Sequence, residues 1–165
     1  MVATILRVGL FLIPWLTVPF IPKDEFKKFT PVAIFTSFLV LIVSFLSIPF
    51  KWWTIKGGLI TKTFNDLSFI LGPFFVGTIW IFRMTFGKFG LFALVNLLMD
   101  FFLSFPFTWL AQKLKMYKLV NFKPKHVFYI SISFALASYV YQLFITRDTT
   151  DHTNHHKNHL RTDKS

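Results

Sequence analysis

The chain of 165 residues is 54% hydrophobic, 20% aromatic and only 15% charged, with a formal charge of +11, a pI near 10.1 and a mean hydropathy of +0.57. Soluble domains carry about 25% charged residues, and a chain this short has no way to hide five long apolar runs in one small core; a water-soluble fold is therefore excluded. The absence of cysteine excludes disulfides, thiolate metal sites, iron–sulfur clusters and a cysteine nucleophile.

Lys and Arg lie almost entirely between the apolar runs, as in loops that face anionic headgroups. The bilayer, and not nucleic acid, is the partner this pattern implies.

The first run, residues 2–21, contains Arg7, Pro14 and Pro19. It lacks a basic cluster ahead of its core and a small-x-small site near its end. It therefore reads as an uncleaved first helix, kinked at Pro14, and not as a signal peptide. After the charged break from Lys23 to Lys28, residues 31–50 form a second run without one charged side chain. It is long enough to span a bilayer, with Pro31 suited to a first turn and Trp52 and Trp53 beside Lys51 suited to an interfacial anchor.

Residues 51–65 contain Gly57-Gly58, which weakens a helix, and read as a loop. The third span then covers 64–82, with Asn65 and Asp66 at headgroup level. Its apolar part from Leu67 to Phe82 is about 24 Å long at ~1.5 Å per residue, short of the ~30 Å hydrocarbon core. Arg83 and Lys88 flank a short turn and read as snorkelling charges, and Trp52, Trp53, Trp80 and Trp109 as an aromatic belt.

A fourth run covers 89–110, followed by a basic connection holding Lys113, Lys115, Lys118, Lys123 and Lys125. The fifth, 127–145, offers Ser131, Ser133, Ala135, Ala137 and Ser138 for close helix contact. The fold class that follows is all-α, a polytopic transmembrane bundle of five spans, or four if the first segment is peripheral. Residues 1–146 make up the membrane-embedded domain, and 147–165 a disordered, polar, histidine-containing tail. Five spans put the chain ends on opposite sides. Basic residues balance across the two sides, and the density of lysines after the fourth span favours an internal N-terminus.

The sharpest chemical feature is the ladder Asn96, Asp100, Ser104, Thr108, Gln112. Steps of four advance about 40° round a helix, so the first three share one face while Thr108 and Gln112 drift off it. Asp100 is near mid-span, where an ionised carboxylate costs about 2.5–3.5 kcal/mol, so it must be protonated, paired or hydrated. Arg7 lies on the membrane side that lets it reach inward as a partner. Asp100, Asn96, Ser104 and Arg7 therefore form a candidate intramembrane polar site. It acts either as a proton or cation site with Asn96 and Ser104 as neutral ligands, or as a packing clamp.

In the tail, His152 and His156, and His155 and His159, are spaced i,i+4, the spacing of a two-histidine metal site. Asp, Thr and Asn between them oppose a helix and no third ligand is fixed, so they are weak metal candidates and the tail reads as solvated. No catalytic motif, nucleotide loop or cofactor signature occurs, and neither enzyme activity nor a cofactor is expected.

The turn Phe86 to Gly90, the Asn96 to Asp100 pair ahead of the lysine-rich loop and the short third span resemble small uncharacterised multi-pass membrane proteins of Gram-positive, spore-forming bacteria. The resemblance covers Phe64 to Gln142, implies a multi-pass place in a bacterial cell membrane, and brings no function. The functional expectation is a structural or accessory subunit that packs with other membrane proteins or with itself. The alternatives are a proton- or cation-coupled transport module centred on Asp100 and, third, a lipid-modifying enzyme.

Overall fold

A computed structural model describes residues 2–55, 57–114 and 118–162, with side chains for Ile5 and, within those ranges, residues 8–147. Five helices account for most of the chain. The first, Val2–Thr17, is prolonged by a tighter turn at Val18–Phe20. The second is Lys23–Leu46, the third Gly58–Thr85, the fourth Phe89–Lys113 and the last Pro124–Thr162. The second to fifth are long and apolar enough to cross a membrane, and the first adds a shorter apolar stretch, Val8–Phe20. The fold is thus a multi-pass membrane helix bundle.

The boundaries differ from the apolar runs for local reasons. The second helix starts at Lys23, with Asp24 and Glu25 in its first turn, where carboxylates complement the amide dipole. Pro31 consequently lies inside the helix and not in its first turn. The third helix opens at the glycine pair that suggested a loop. Gly57 sits in the left-handed region at φ 115°, where a Cβ would collide with Thr61, and the helix begins at Gly58. At 28 residues this helix is no longer short. The last helix continues through residues 148–162, for which a disordered tail was expected; the side chains there, including the four candidate histidines, lie outside the described residues.

The third and fourth helices each contain one wide π-type turn built round a proline: Ile70–Phe74 with Pro73, and Leu103–Phe107 with Pro106. Proline lacks the N–H that would close the α-helical ladder, and the backbone winds wider round it. A side chain reaches into each turn: Trp15 Nε1 donates to Leu71 O at 3.0 Å, and Thr108 Oγ1 to Leu103 O at 2.9 Å.

The first helix runs alongside the third in the same direction. Gly72 meets the backbone of Leu10, the Trp15 ring stacks on Phe75 at 5.9 Å, and Trp80 Nε1 donates to Thr17 Oγ1 at 2.9 Å. The two ends of the bundle differ. At one, a short antiparallel pair joins β1 (Trp53–Thr54) to β2 (Lys118–Leu119), strapping together the loops after the second and fourth helices. At the other, Arg83 Nε pairs with Glu25 Oε2 at 2.7 Å and Arg83 Nη1 donates to Phe20 O at 2.9 Å. Arg83 therefore clamps two turns together, a more specific role than snorkelling.

The dense core lies toward the Arg83 end. Phe82 is fully buried, with ring centroids 6.0 Å from Phe29 and 5.1 Å from Phe92, and Phe92 is 4.7 Å from Tyr139. Outward faces carry large apolar side chains such as Phe101, Phe102, Phe105 and Trp109, as lipid contact requires.

Candidate functional site

Among the described residues two polar centres lie inside the bundle, and the sequence reading anticipated one of them. The unanticipated one follows from the longer third helix. With the helix starting at Gly58, Lys62 and Asp66 stand one turn apart and face inward, both buried. Lys62 Nζ is 2.6 Å from Asp66 Oδ2 and 2.7 Å from Ser47 Oγ, and it lies 4.7 Å from the centroid of the Trp53 ring. Asp66 also accepts from Ser44 Oγ at 2.6 Å and from Trp53 Nε1 at 3.3 Å. Trp53 is therefore a hydrogen-bond donor to a buried carboxylate, and not a plain belt residue. Each charge is compensated and the hydroxyls are engaged, as a buried ion pair needs in order to persist.

The second centre is the predicted stripe. Asp100 and Ser104 are buried, and Asn96 is half-buried on the same face of the fourth helix. Thr108 stays buried as well, contrary to the expected drift. The wide turn at Leu103–Phe107 holds an extra residue, which winds the stripe back toward the interior. Asn96 Nδ2 donates to Phe92 O at 2.8 Å, which ties its amide nitrogen to its own helix. Asp100 Oδ2 and Ser104 Oγ are buried without a hydrogen-bond partner, and among the described residues no cation pairs with Asp100. The side chain of Arg7, proposed as its partner, lies outside the described residues.

Each centre opens on a cavity. Asp66, Asn65 and Ser68 line one of about 170 Å³, with Trp53, Leu119 and Phe122 in its wall at the strap end. Asp100 and Asn96 line a second of about 130 Å³, together with Thr36, Thr78 and Ser138. Phe69, Phe74, Ser131 and Phe134 belong to the walls of both, so the two cavities are neighbours divided by an aromatic partition. The hydroxyls around Asp100 are occupied: Thr36 Oγ1 and Ser138 Oγ share a 2.7 Å hydrogen bond between the second and fifth helices, and Thr78 Oγ1 donates to Phe74 O at 2.7 Å.

The signal that would have revealed the first centre was the Lys62-to-Asp66 spacing of four, hidden once Gly57-Gly58 was read as the interior of a loop. Among the described residues no group of three His, Cys, Asp or Glu converges on a metal-sized site. Compared with protein families, with curated proteins and with solved structures, the chain matches none.

Proposed function

We propose that this multi-pass membrane protein binds and releases a proton at Asp100, as the intramembrane site of a small transport or coupling module. The observation that carries this reading is the buried, unpartnered carboxylate oxygen of Asp100 facing a cavity. A packing clamp would pair that oxygen; Asn96, the clamp partner within reach on the same helix, turns to Phe92 O instead. The structural clamp of this bundle is Lys62–Asp66, which leaves Asp100 free for another role.

A proton suits the site better than a metal cation. Hard cations take about six to eight oxygen ligands, whereas Asp100 is the one carboxylate among the described residues lining this cavity, and Thr36, Thr78, Ser138 and Asn96 beside it are neutral groups already held in hydrogen bonds. Carrying a charge to mid-bilayer without a group to hold it costs about 2.5–3.5 kcal/mol or more. Asp100→Asn should therefore cut proton flux into proteoliposomes by roughly a hundredfold, with elution volume and melting temperature unchanged. Undiminished flux in the folded variant would remove the proposal.

The second reading, an accessory subunit among other membrane proteins, is favoured by a separate observation: only 17% of the apolar window of the fourth helix, and 17% of that of the fifth, is buried. Lipid satisfies such faces as well as protein does. Crosslinking in native membranes separates the two, because a subunit yields a defined partner on those faces. The resemblance to proteins of spore-forming bacteria belongs with this reading, as a proposal about origin.

A further inference from the structure

The packing of the bundle is asymmetric about Asp100. Toward the Arg83 end, the rings of Phe29, Phe82, Phe86, Phe92 and Tyr139 fill the interior, with Phe86 5.6 Å from Phe29 and 6.4 Å from Tyr139. Lys28 Nζ lies 4.8 Å from the Phe86 centroid, and the Arg83–Glu25 pair closes that end. Toward the strap end there is space: the Asp66 cavity begins beneath Trp53, Leu119 and Phe122 and reaches the partition it shares with the Asp100 cavity.

We infer that Asp100 exchanges its proton with one side only in this state, the side of the β1–β2 strap, through the Asp66 cavity as vestibule and past Phe69, Phe74 and Phe134 as a gate. This rests on the reading of Asp100 as a proton site and adds its route of access.

The gate has a physical basis. Phe69 is held between Phe74, at 5.3 Å edge-on, and Phe107, at 5.8 Å stacked. Phe74 and Phe107 are the last residues of the two wide turns. Phe69 precedes the first of these turns directly. Wide turns of this kind recur at functional sites, and a shift at Pro73 would move Phe74, a ring of the partition, while one at Pro106 would move Phe107, which stacks on Phe69. Ser131 is the small polar residue in the same wall. The vestibule supplies polar groups up to the partition in Asp66, Asn65 and Ser68, and the Lys62–Asp66 pair keeps it from carrying a fixed net charge.

The chain has no cysteine, so single thiols report access without background. Ser68→Cys places one in the vestibule, and Gly77→Cys one in the Asp100 cavity, where an added Cβ meets nothing within 4 Å. Lys118→Cys and Lys88→Cys mark the strap side and the opposite side. With a membrane-impermeant methanethiosulfonate on sealed vesicles of each orientation, Ser68→Cys is expected to label from the strap side only. Gly77→Cys should label from that same side once Phe134→Ala opens the partition, and not at all from the Lys88 side. Labelling without Phe134→Ala, again from the strap side, also supports the route.

Labelling of Gly77→Cys from the Lys88 side, from both sides, or from neither in the Phe134→Ala background overturns it. If Gly77→Cys does not fold, Asn96→Cys probes the same cavity under the same criteria. Accessibility does not depend on titration. One-sided labelling with undiminished flux in Asp100→Asn would keep the route and remove the proton site, while flux loss with labelling from the wrong side would do the reverse.

Discussion

Lys62 and Asp66 place opposite charges 2.6 Å apart in a buried setting. Two ions taken out of water gain from each other roughly what they lose in hydration, so the pair adds little net stability, yet removing one member leaves an uncompensated buried charge. Asp66→Asn should therefore destabilise the bundle by about 3–5 kcal/mol, and Lys62→Met similarly, whereas the double variant should lose much less than their sum. Thermal melts in detergent measure this, with Trp53 fluorescence as a local reporter, since its indole contacts both residues. Additive losses would mean that the two act separately. The contrast with Asp100 shows what was legible at this scale. The inward stripe of Asn96, Asp100 and Ser104 follows from a period of four on an otherwise apolar helix, and the structure turns that face inward. Lys62 and Asp66 have the same spacing but stand just after two glycines, and local propensity assigned Lys62 to a loop and Asp66 to the headgroup end of the span. Packing against Ser44, Ser47 and Trp53 outweighs that propensity.

Among the elements, the third helix carries the most adaptation: a glycine start, a wide turn at Pro73, and close contact with the first helix. Small residues let membrane helices approach where no hydrophobic effect drives them together. Gly72 is such a residue, because a Cβ there would overlap the carbonyl of Leu10, while Gly77 five residues on has open space. Gly72→Val should push the first helix away at a cost of about 1–3 kcal/mol, as overpacking does, and should shift Trp15 emission to the red as its stack on Phe75 opens. Gly77→Ala should stay within about 1 kcal/mol of the parent, since a helix interior accepts alanine more readily than glycine. Equal melting temperatures for the two variants would show that the first helix is not seated on Gly72. Apolar run length made the existence of these helices readable from sequence. Their wide turns were not readable, because a proline in an apolar run is compatible with a kink, a helix end or a π-turn, and the choice depends on packing against the rest of the bundle, here the Trp15 indole on Leu71 O.

At the scale of the whole molecule, the number of crossings rests on the first helix. Its apolar stretch, Val8–Phe20, is shorter than the other spans, which on length alone leaves a surface-lying segment open. Its contacts argue otherwise. Leu10 lies against Gly72, Trp15 against Leu71 and Phe75, Thr17 against Trp80 and Phe20 against Arg83, a progression along one membrane-crossing helix that a segment lying across the bundle would not produce. The Phe20 end therefore sits with Arg83 and Glu25, and the N-terminal end points toward the strap. Charge counting could not decide this, because Lys62 is consumed in a buried pair and Arg83 in a half-exposed pair with Glu25, so neither acts as a free loop charge of the kind that orients a span. A reporter fused at the N-terminus should share its side with one inserted at Lys118 and lie opposite one inserted at Lys88, for which a pair of compartment-sensitive fusions suffices. An N-terminal reporter on the Lys88 side would reduce the first helix to a peripheral segment. It would leave four crossings, and it would detach the Trp15 contact from the wide turn that borders the partition, so the test of topology is also a test of what holds that turn in place.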